Sequence, residues 1–193
     1  MKLKACVVLL TIVASLVPRQ QLRAQAKDGS PLQKKSCTVP SEELEVIASY
    51  LGKGNSEVLM AKTDPPRVDV DSLNLLQVSH GHGKSPEVRT DFRDKNKSSC
   101  TIRTLEGNSN VHLITQSEHD LIFRNGWGEF HNKYGKQAEL LYFSRVGFNS
   151  EKTLALLHVS SRMGGMAASG TLYYYERKKG KWVVKTQIPT WAT

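Results

Sequence analysis

The sequence predicts an α+β fold, with an antiparallel β-meander sheet in the C-terminal half and short helices packed on one face. Two patterns predict it: helical periodicity recurs before residue 135, and four β-rich runs separated by turn residues follow. The 193 residues, 39% hydrophobic and 23% charged, have the composition of a globular domain. This composition excludes collagen-like, disordered and multi-span membrane proteins.

The N-terminus has the pattern of a secretory signal peptide. Lys2 and Lys4 precede an apolar run over 5–17, and Ala24-Gln25-Ala26 is a small-x-small cleavage site. As a helix the apolar run would be about 20 Å long, too short for the ~30 Å hydrocarbon core of a bilayer. We therefore predict a signal peptide over 1–26 and an exported protein, periplasmic or secreted, that is not an integral membrane protein.

Removal of the leader lowers the net charge. The leader carries four of the 27 basic residues and none of the 18 acidic ones, so the charge falls from +9 to +5. A charge of this size favours solubility, but the chain lacks the concentrated basic face typical of nucleic-acid binding. We expect no nucleic-acid partner.

Cysteine usage agrees with an oxidising compartment. Cys6 would leave with the leader, so Cys37 and Cys100 are the only thiols of the predicted mature chain. Because disulfides persist in exported proteins, these two are predicted to pair. A catalytic thiol is the alternative, although no pattern indicates which histidine would activate it.

Residues 27–40 lack apolar periodicity and predict a flexible linker, which a single domain over 41–193 follows. Ser41 is expected to cap a helix, and Gly52 and Gly54 to end it. The apolar positions of that helix recur at i, i+3, i+4 and i+7: Leu44, Ile47, Ala48 and Leu51.

The middle of the chain is predicted to hold short elements. They are a strand at 58–61, a helix at 87–94, two hairpin strands at 101–105 and 111–114, and a helix capped by Ser117. Trp127, Phe130 and Tyr134 then line one helical face that ends at Gly135.

The C-terminal half is predicted to be a meander. Its four strands are expected at 140–148, 153–161, 171–177 and 181–188, with a tight hairpin at Lys178-Lys179-Gly180 between the last two. No internal repeat or second domain is indicated.

Three runs in this half carry a resemblance: Ser144-Arg145-Val146-Gly147-Phe148-Asn149, Ala155-Leu156-Leu157-His158-Val159, and Tyr174-Tyr175-Glu176-Arg177-Lys178-Lys179-Gly180-Lys181-Trp182. They resemble a family of uncharacterised exported bacterial proteins, and the likeness extends over roughly 90–193. The resemblance implies export and no particular activity. Members of that family commonly carry two cysteines in the glycine-rich loop, where this chain has Met163, Met166 and Ala167. A loop disulfide or metal site is therefore not expected here.

Two candidate catalytic sets are weak. His80 and His82 are possible metal ligands, but a zinc site needs three or four ligands, so neither a metal site nor a cofactor is predicted. Ser144, Ser160 or Ser161 with His158 supply the residue types of a hydrolase triad, yet the chain has no Gly-x-Ser-x-Gly elbow.

The glycine-rich loop over 164–170 lacks the Gly-Lys-Ser/Thr ending of a phosphate-binding loop. We predict Met163 and Met166 to pack in the core, with an exposed binding lip as the alternative. The candidate binding residues are Arg145, Gly164, Gly165, Gly170, Tyr173, Tyr175 and Trp182. The competing interpretation, which is favoured, is cross-strand packing of the tyrosines and Trp182.

These patterns together predict an exported, non-catalytic binding or envelope accessory module. Its partner would be an envelope protein, a glycan or a small ligand of unknown identity. The alternative is a small exported hydrolase or metal-dependent enzyme. The sequence specifies a core and its turns but no catalytic constellation, which favours binding over catalysis.

Overall fold

A computed structural model of the chain describes residues 37–51, 57–66, 68, 85–105 and 110–193. The predicted signal peptide over 1–26, the linker up to residue 36, and His80 and His82 lie outside the described residues. The described residues belong to one compact unit.

The described residues form four helices: α1 Ser41–Tyr50, α2 Pro86–Lys95, α3 Gln116–Phe123 and α4 Trp127–Tyr134. Each lies where the sequence predicts a helix. The caps differ from the prediction, because Thr115 rather than Ser117 caps α3 and accepts the Glu118 N–H at 3.2 Å. In α1, Pro40 occupies the cap position and Ser41 is the first helical residue. Local pattern fixes a helix boundary only to within one or two positions.

The described strands are β1 Glu57–Met60, β2 Val111–Ile114, β3 Glu139–Phe143, β4 Gly147–Phe148, β5 Leu154–Arg162, β6 Ala168–Lys178 and β7 Lys181–Ala192. The single strand predicted over 140–148 is thus interrupted. Phe143 pairs with Val159 and Gly147 with Leu156, so three residues stand opposite two and the ladder bulges.

The strands make one mixed sheet in the order β2-β1-β3-β5-β6-β7, with β4 pairing β5. The predicted antiparallel arrangement holds among β3, β5, β6 and β7, but β1 pairs in parallel with both β2 and β3. The predicted hairpin between 101–105 and 111–114 is wrong, because Thr101 makes only isolated bridges and β2 pairs with β1. The long connection between β1 and β2 allows this parallel pairing.

Helices cover both faces of the sheet, which corrects the prediction of one face. Ile47 of α1 packs in one cluster with Leu157, whereas Phe92 of α2 packs with its neighbour Leu156. Consecutive strand residues point to opposite faces, so α1 and α2 lie on opposite sides. Helices α3 and α4 share the face of α2, where they cover Val58 of β1.

Cys37 and Cys100 form a disulfide with their Cα atoms 4.6 Å apart, which confirms the predicted pairing. Val39 is buried, and its N–H donates to the Thr101 carbonyl at 2.9 Å. Residues 37–40, the end of the predicted linker, therefore belong to the folded domain.

The predicted tight hairpin joins β6 and β7. Lys179 and Gly180 form its two-residue loop with φ values of 49° and 78°. Positive φ at both positions gives the turn a twist that matches the flanking strands, and glycine adopts it without strain.

Candidate ligand-binding cavity

A cavity of about 590 Å³ lies on the sheet face that carries α2, α3 and α4. Strands β3, β5 and β7 supply its floor: Tyr142, His158, Ser160, Arg162, Thr190 and Trp191. The segment 64–66 after β1, Trp127 at the start of α4, and Gly164 and Gly165 after β5 supply its walls. Its volume lies within the range of small-molecule sites in proteins.

The polar floor follows from alternation along β5. His158, Ser160 and Arg162 share one face, because strand side chains alternate. The preceding residue on that face, Leu156, is covered by α2. Beyond the edge of α2 the strand therefore presents three successive polar side chains to the cavity.

A bulge in β7 places two further residues on the floor. Gly170 pairs with Trp191 and Thr171 pairs with Pro189, so Thr190 is an extra residue in the ladder. The bulge interrupts the alternation, and both Thr190 and Trp191 line the cavity. A regular strand would have directed them to opposite faces.

Gly170 lets the Trp191 indole lie directly over β6. A Cβ at this position would overlap the indole Nε1 and would lie 2.6 Å from its Cε2. Glycine is required here for close approach of the ring and not for an unusual backbone conformation.

His158 is only 3% exposed, and burial lowers its pKa from 6.5 to about 4. Its Nε2 lies 3.1 Å from the Thr190 hydroxyl, within hydrogen-bond distance. Removal from water disfavours the charged imidazolium, so His158 is neutral at pH 7. It offers the cavity a neutral polar group.

Tyr142 belongs to a hydrogen-bonded chain behind the cavity. His119 Nδ1 lies 3.1 Å from the Asp120 carboxylate, and its Nε2 lies 3.4 Å from the Tyr142 hydroxyl. When Nδ1 donates its proton to the carboxylate, Nε2 is the ring nitrogen placed to accept from the phenol. The Tyr142 oxygen then keeps its acceptor capacity for the cavity, while burial raises the pKa of its hydroxyl.

Two charged residues occur in the described lining. The Arg162 guanidinium stacks over the Tyr142 ring, 5.3 Å from its centroid, and Arg162 is solvent-exposed. Asp64 is also exposed, and its backbone N–H is held by the Phe143 carbonyl at 2.8 Å. The cavity thus has a neutral, aromatic interior with opposite charges at its edge.

A contact from α4 positions the glycine-rich loop. His131 Nε2 lies 3.1 Å from the Met163 carbonyl, and the His131 ring lies 5.7 Å from that of Trp127. The same helix therefore supplies one aromatic wall and a hydrogen bond to the adjacent loop.

Of the seven predicted binding residues, only Gly164 and Gly165 line the cavity. Gly170 lies beneath the Trp191 ring and contributes no side chain to the site. The side chains of Tyr173, Tyr175 and Trp182 pack in the cluster around α1 on the opposite face. The Tyr173 and Tyr175 rings lie 6.4 Å apart on the same strand, and Arg177 stacks on Trp182 across the hairpin.

Arg145 is also absent from the cavity. Its guanidinium is buried in an ion pair with Glu43, which raises its pKa. Arg145 therefore has no surface available to a ligand, and the predicted surface of seven residues is not assembled.

The two loop methionines are exposed, Met163 by 43% and Met166 by 88%. The prediction that they pack in the core is wrong. Met163 is joined to Ala167 by a backbone hydrogen bond of 2.9 Å, which closes a turn and leaves both side chains outside.

Ser144 and His158, from the weak hydrolase candidate, are neighbours, but the Ser144 hydroxyl bonds backbone groups. Ser144 Oγ donates to the Arg145 carbonyl and accepts the backbone N–H of His158, both at 2.9 Å. The hydroxyl thus bonds the backbone across the bulge rather than the imidazole. Ser161 donates to Glu139 at 2.8 Å, and Ser160 alone shares the cavity with His158.

Sequence reasoning missed most of the cavity. Its best indication was the polar set His158, Ser160 and Arg162 at a spacing of two in an otherwise apolar strand. Trp127 was assigned to a helix face, while the bulge at Thr190 has no local sequence pattern.

The described residues contain neither a metal-binding cluster nor a membrane-spanning helix. In the described part of the chain, no group of three or more His, Cys, Asp or Glu residues could hold a metal ion. Of the four helices described above, none is long and apolar enough to span a membrane.

Comparison with protein-family models, curated proteins and solved structures gives no match for this chain. The resemblance to exported bacterial proteins therefore stays a prediction, and the candidate site depends on its geometry.

Proposed function

We propose that the protein is a non-catalytic binding module that holds a small, ring-bearing molecule in the cavity over β3, β5 and β7. The observation that carries this proposal is the lining: Trp127, Tyr142 and Trp191 come from three different elements and converge with polar side chains in one cavity of about 590 Å³. Binding sites for small molecules combine apolar and aromatic walls with a few placed polar groups.

The aromatic residues favour a flat ligand. Indole and phenol faces attract ring systems through dispersion and their quadrupoles, and each buries a large apolar area. The half-buried Trp191 is supported from below by Gly170 and therefore offers a fixed surface. The hydroxyls of Ser160 and Thr190 and the neutral His158 would orient the polar edge of the ligand.

The electrostatics favour binding over acid–base catalysis. A general base works best with a pKa near the operating pH, whereas burial holds the pKa of His158 at about 4. The Tyr142 hydroxyl is engaged by His119. The lining thus supports holding and orienting a ligand rather than moving a proton.

We also propose that the protein is exported from the cytoplasm. The Cys37–Cys100 disulfide fits an oxidising location, and the N-terminal pattern predicts export. The module would act in the periplasm or outside the cell as an accessory protein of the envelope. Its ligand would be a small molecule or the ring of a glycan.

The cavity tryptophans provide a direct test. The chain has three tryptophans, and Trp182 lies on the opposite face, so a Trp182→Phe variant reports only on Trp127 and Trp191. Titration with 4-nitrobenzyl alcohol, a neutral ring that quenches indole fluorescence on contact, should give saturable quenching. We expect a Kd on the order of 1 mM, as is typical of a fragment-sized ligand.

A second variant separates the cavity from general quenching. Adding Trp191→Leu to Trp182→Phe removes one ring from the floor and should weaken binding about tenfold. Linear, unsaturable quenching in both variants would reject the cavity as a binding site.

A further inference from the structure

We propose that the cavity selects ring-bearing molecules that carry a carboxylate, and that Arg162 at its edge binds the carboxylate. This inference rests on the proposed function and adds the charge of the ligand to it. Three features carry it: how Arg162 is held, what it lacks, and how it differs from a second arginine of the same sheet.

Arg162 is held in position by an aromatic ring. Its guanidinium carbon lies 5.3 Å from the centroid of Tyr142, which is itself fixed by the hydrogen bond to His119. A cation over a ring face is attracted by the ring quadrupole, and this contact leaves the N–H donors of the guanidinium for other partners. The ring thus positions the donors without occupying them.

Arg162 has no carboxylate partner within the described ranges. It lines the cavity beside Ser160, and its guanidinium makes a cation–π contact with the Tyr142 ring. Asp64 also lines the cavity, but no ion pair joins it to Arg162 among the described contacts. The planar fork of an arginine matches a carboxylate with two parallel hydrogen bonds, so a ligand carboxylate is the complementary group.

Arg177 shows the contrasting arrangement on the other face. Its guanidinium stacks on Trp182 at 5.5 Å from the ring and also lies 3.4 Å from the Glu45 carboxylate. Arg177 thus has an acidic partner within the protein. Arg162, in the same kind of stack, faces the cavity.

The negative charge of Asp64 should weaken the binding of a carboxylate ligand at Arg162. Its carboxylate and the Arg162 guanidinium both act on the Tyr142 hydroxyl, with opposite effects on the phenol pKa. Both charges therefore lie within electrostatic reach of the cavity. An anionic ligand at Arg162 would be weakened by Asp64, so removal of the Asp64 charge should strengthen its binding.

Two probes of the same ring and similar length test the inference. They are 2-phenylethanol, which is neutral, and 3-phenylpropanoate, which carries a carboxylate. Binding to the full chain is measured by calorimetry at constant ionic strength and pH 7. We expect the propanoate to bind at least fivefold more tightly than the alcohol, since a hydrogen bond to a charged group is stronger than a neutral one.

Three variants assign that difference. Arg162→Met should remove the preference, so that the ratio of the propanoate affinity to the alcohol affinity falls to about one. Asp64→Asn should raise the ratio of the propanoate affinity to the alcohol affinity about two- to threefold, because it removes a like charge near the carboxylate. Arg177→Met removes the same charge from the opposite face and should alter neither probe.

Each contrary outcome has a separate meaning. If the alcohol binds and the propanoate binds no more tightly, with Arg162→Met neutral, selection for a carboxylate is rejected while the cavity remains a binding site. If Arg177→Met weakens the propanoate as much as Arg162→Met, the preference comes from the net charge and the assignment to Arg162 is wrong. If neither probe binds, the proposed function fails and this inference fails with it.

Discussion

Glu43 and Arg145, 102 residues apart, form a buried bidentate ion pair, with Arg145 Nε 2.8 Å from Oε2 and Nη2 2.5 Å from Oε1. Arg145 Nη1 also contacts the Cys100 sulfur at 2.6 Å, and Glu43 Oε2 accepts the Val146 N–H at 3.0 Å. The Asn96 side chain accepts the Arg145 backbone N–H with Oδ1 and donates from Nδ2 to the Arg145 carbonyl. The pair therefore connects α1, the disulfide and the break between β3 and β4. Arg145 and Val146 of the hexapeptide 144–149 thus hold α1 and α2 to the sheet through Glu43 and Asn96.

The first prediction concerns this pair. Arg145→Met should lower the free energy of unfolding by about 3–5 kcal/mol, because it removes the bidentate partner of the buried Glu43 carboxylate and leaves only Lys95, 3.7 Å away, as a cationic neighbour. The double variant Glu43→Gln with Arg145→Met should recover part of that loss, since both charges are gone. Urea unfolding followed by circular dichroism measures both changes.

The exposed ion pair between Lys152 and Glu42 is the matched control, with its atoms 2.9 Å apart. Lys152→Met should change stability by less than about 1 kcal/mol, as is usual for surface pairs. An equally small effect of Arg145→Met would show that the buried pair does not hold the fold together.

The second prediction concerns the disulfide, which closes a sequence separation of 63 residues. In the chain-entropy model, a loop of this length contributes about 4 kcal/mol through the unfolded state. The double variant Cys37→Ser with Cys100→Ser should lose a comparable amount. Addition of dithiothreitol should lower the Tm of the natural chain and leave that of the variant unchanged. A natural chain insensitive to dithiothreitol, with its thiols shown by mass spectrometry to be reduced, would contradict this account.

The third prediction concerns pH. Burial lowers the pKa of His158 from 6.5 to about 4, so the unfolded chain binds this proton more readily than the folded one. The stability that comes from keeping His158 neutral is therefore complete above pH 6.5 and is lost as the pH falls toward 4. The loss amounts to about 3 kcal/mol over that range.

His158→Gln isolates this contribution, because glutamine does not titrate and can still reach the Thr190 hydroxyl. The unfolding free energy of the natural chain minus that of the variant should decrease as the pH falls from 7 to 4, because only the natural chain loses the contribution of neutral His158. Carboxylates that titrate in the same range act in both proteins and cancel in the difference. A difference that is constant with pH would mean that the folded protein accommodates the charged imidazole.

The elements that sequence analysis located correctly depend on neighbouring residues. The period of apolar positions in α1 and the Lys179-Gly180 turn act over a few residues, so one stretch of chain contains all the information. The parallel pairing of β1 with β2 and β3 has no such basis, because it joins strands separated by long connections. For this reason the sequence indicated a hairpin for 111–114, where the structure has a parallel edge strand.

The same distinction explains the cavity. The alternation of His158, Ser160 and Arg162 could be derived from the strand, since a period of two is local. The bulge at Thr190 depends on the register between β6 and β7, and the turn geometry at the hairpin does not determine that register ten residues after Gly180. Arg145 was predicted to bind a ligand because the local sequence shows no acidic partner for it. Its partner Glu43 lies 102 residues away and is brought to it only by the fold.

The fourth prediction tests whether that bulge and Gly170 build the cavity floor. Gly170→Ala places a methyl group where the Trp191 indole lies, so the ring must move away from β6. We expect a loss of about 1–3 kcal/mol in stability, as for other overpacked sites, and a shift in the emission of Trp191 in the Trp182→Phe background. Binding of 4-nitrobenzyl alcohol should weaken about tenfold, because the displaced ring no longer forms the floor.

Gly164→Ala is the matched control, since it adds the same methyl group at the cavity wall, where a Cβ would meet nothing within 4 Å. The free energy of unfolding should change by no more than about 0.5 kcal/mol, as for ordinary surface substitutions. The emission of Trp191 should not shift. If the two alanine variants behave alike, Trp191 is free to adjust and the floor is not fixed by Gly170. If only Gly170→Ala loses probe binding while its far-ultraviolet circular dichroism stays native, the loss follows from the position of one ring. The cavity would then depend on a register shift between two strands as much as on the side chains that line it.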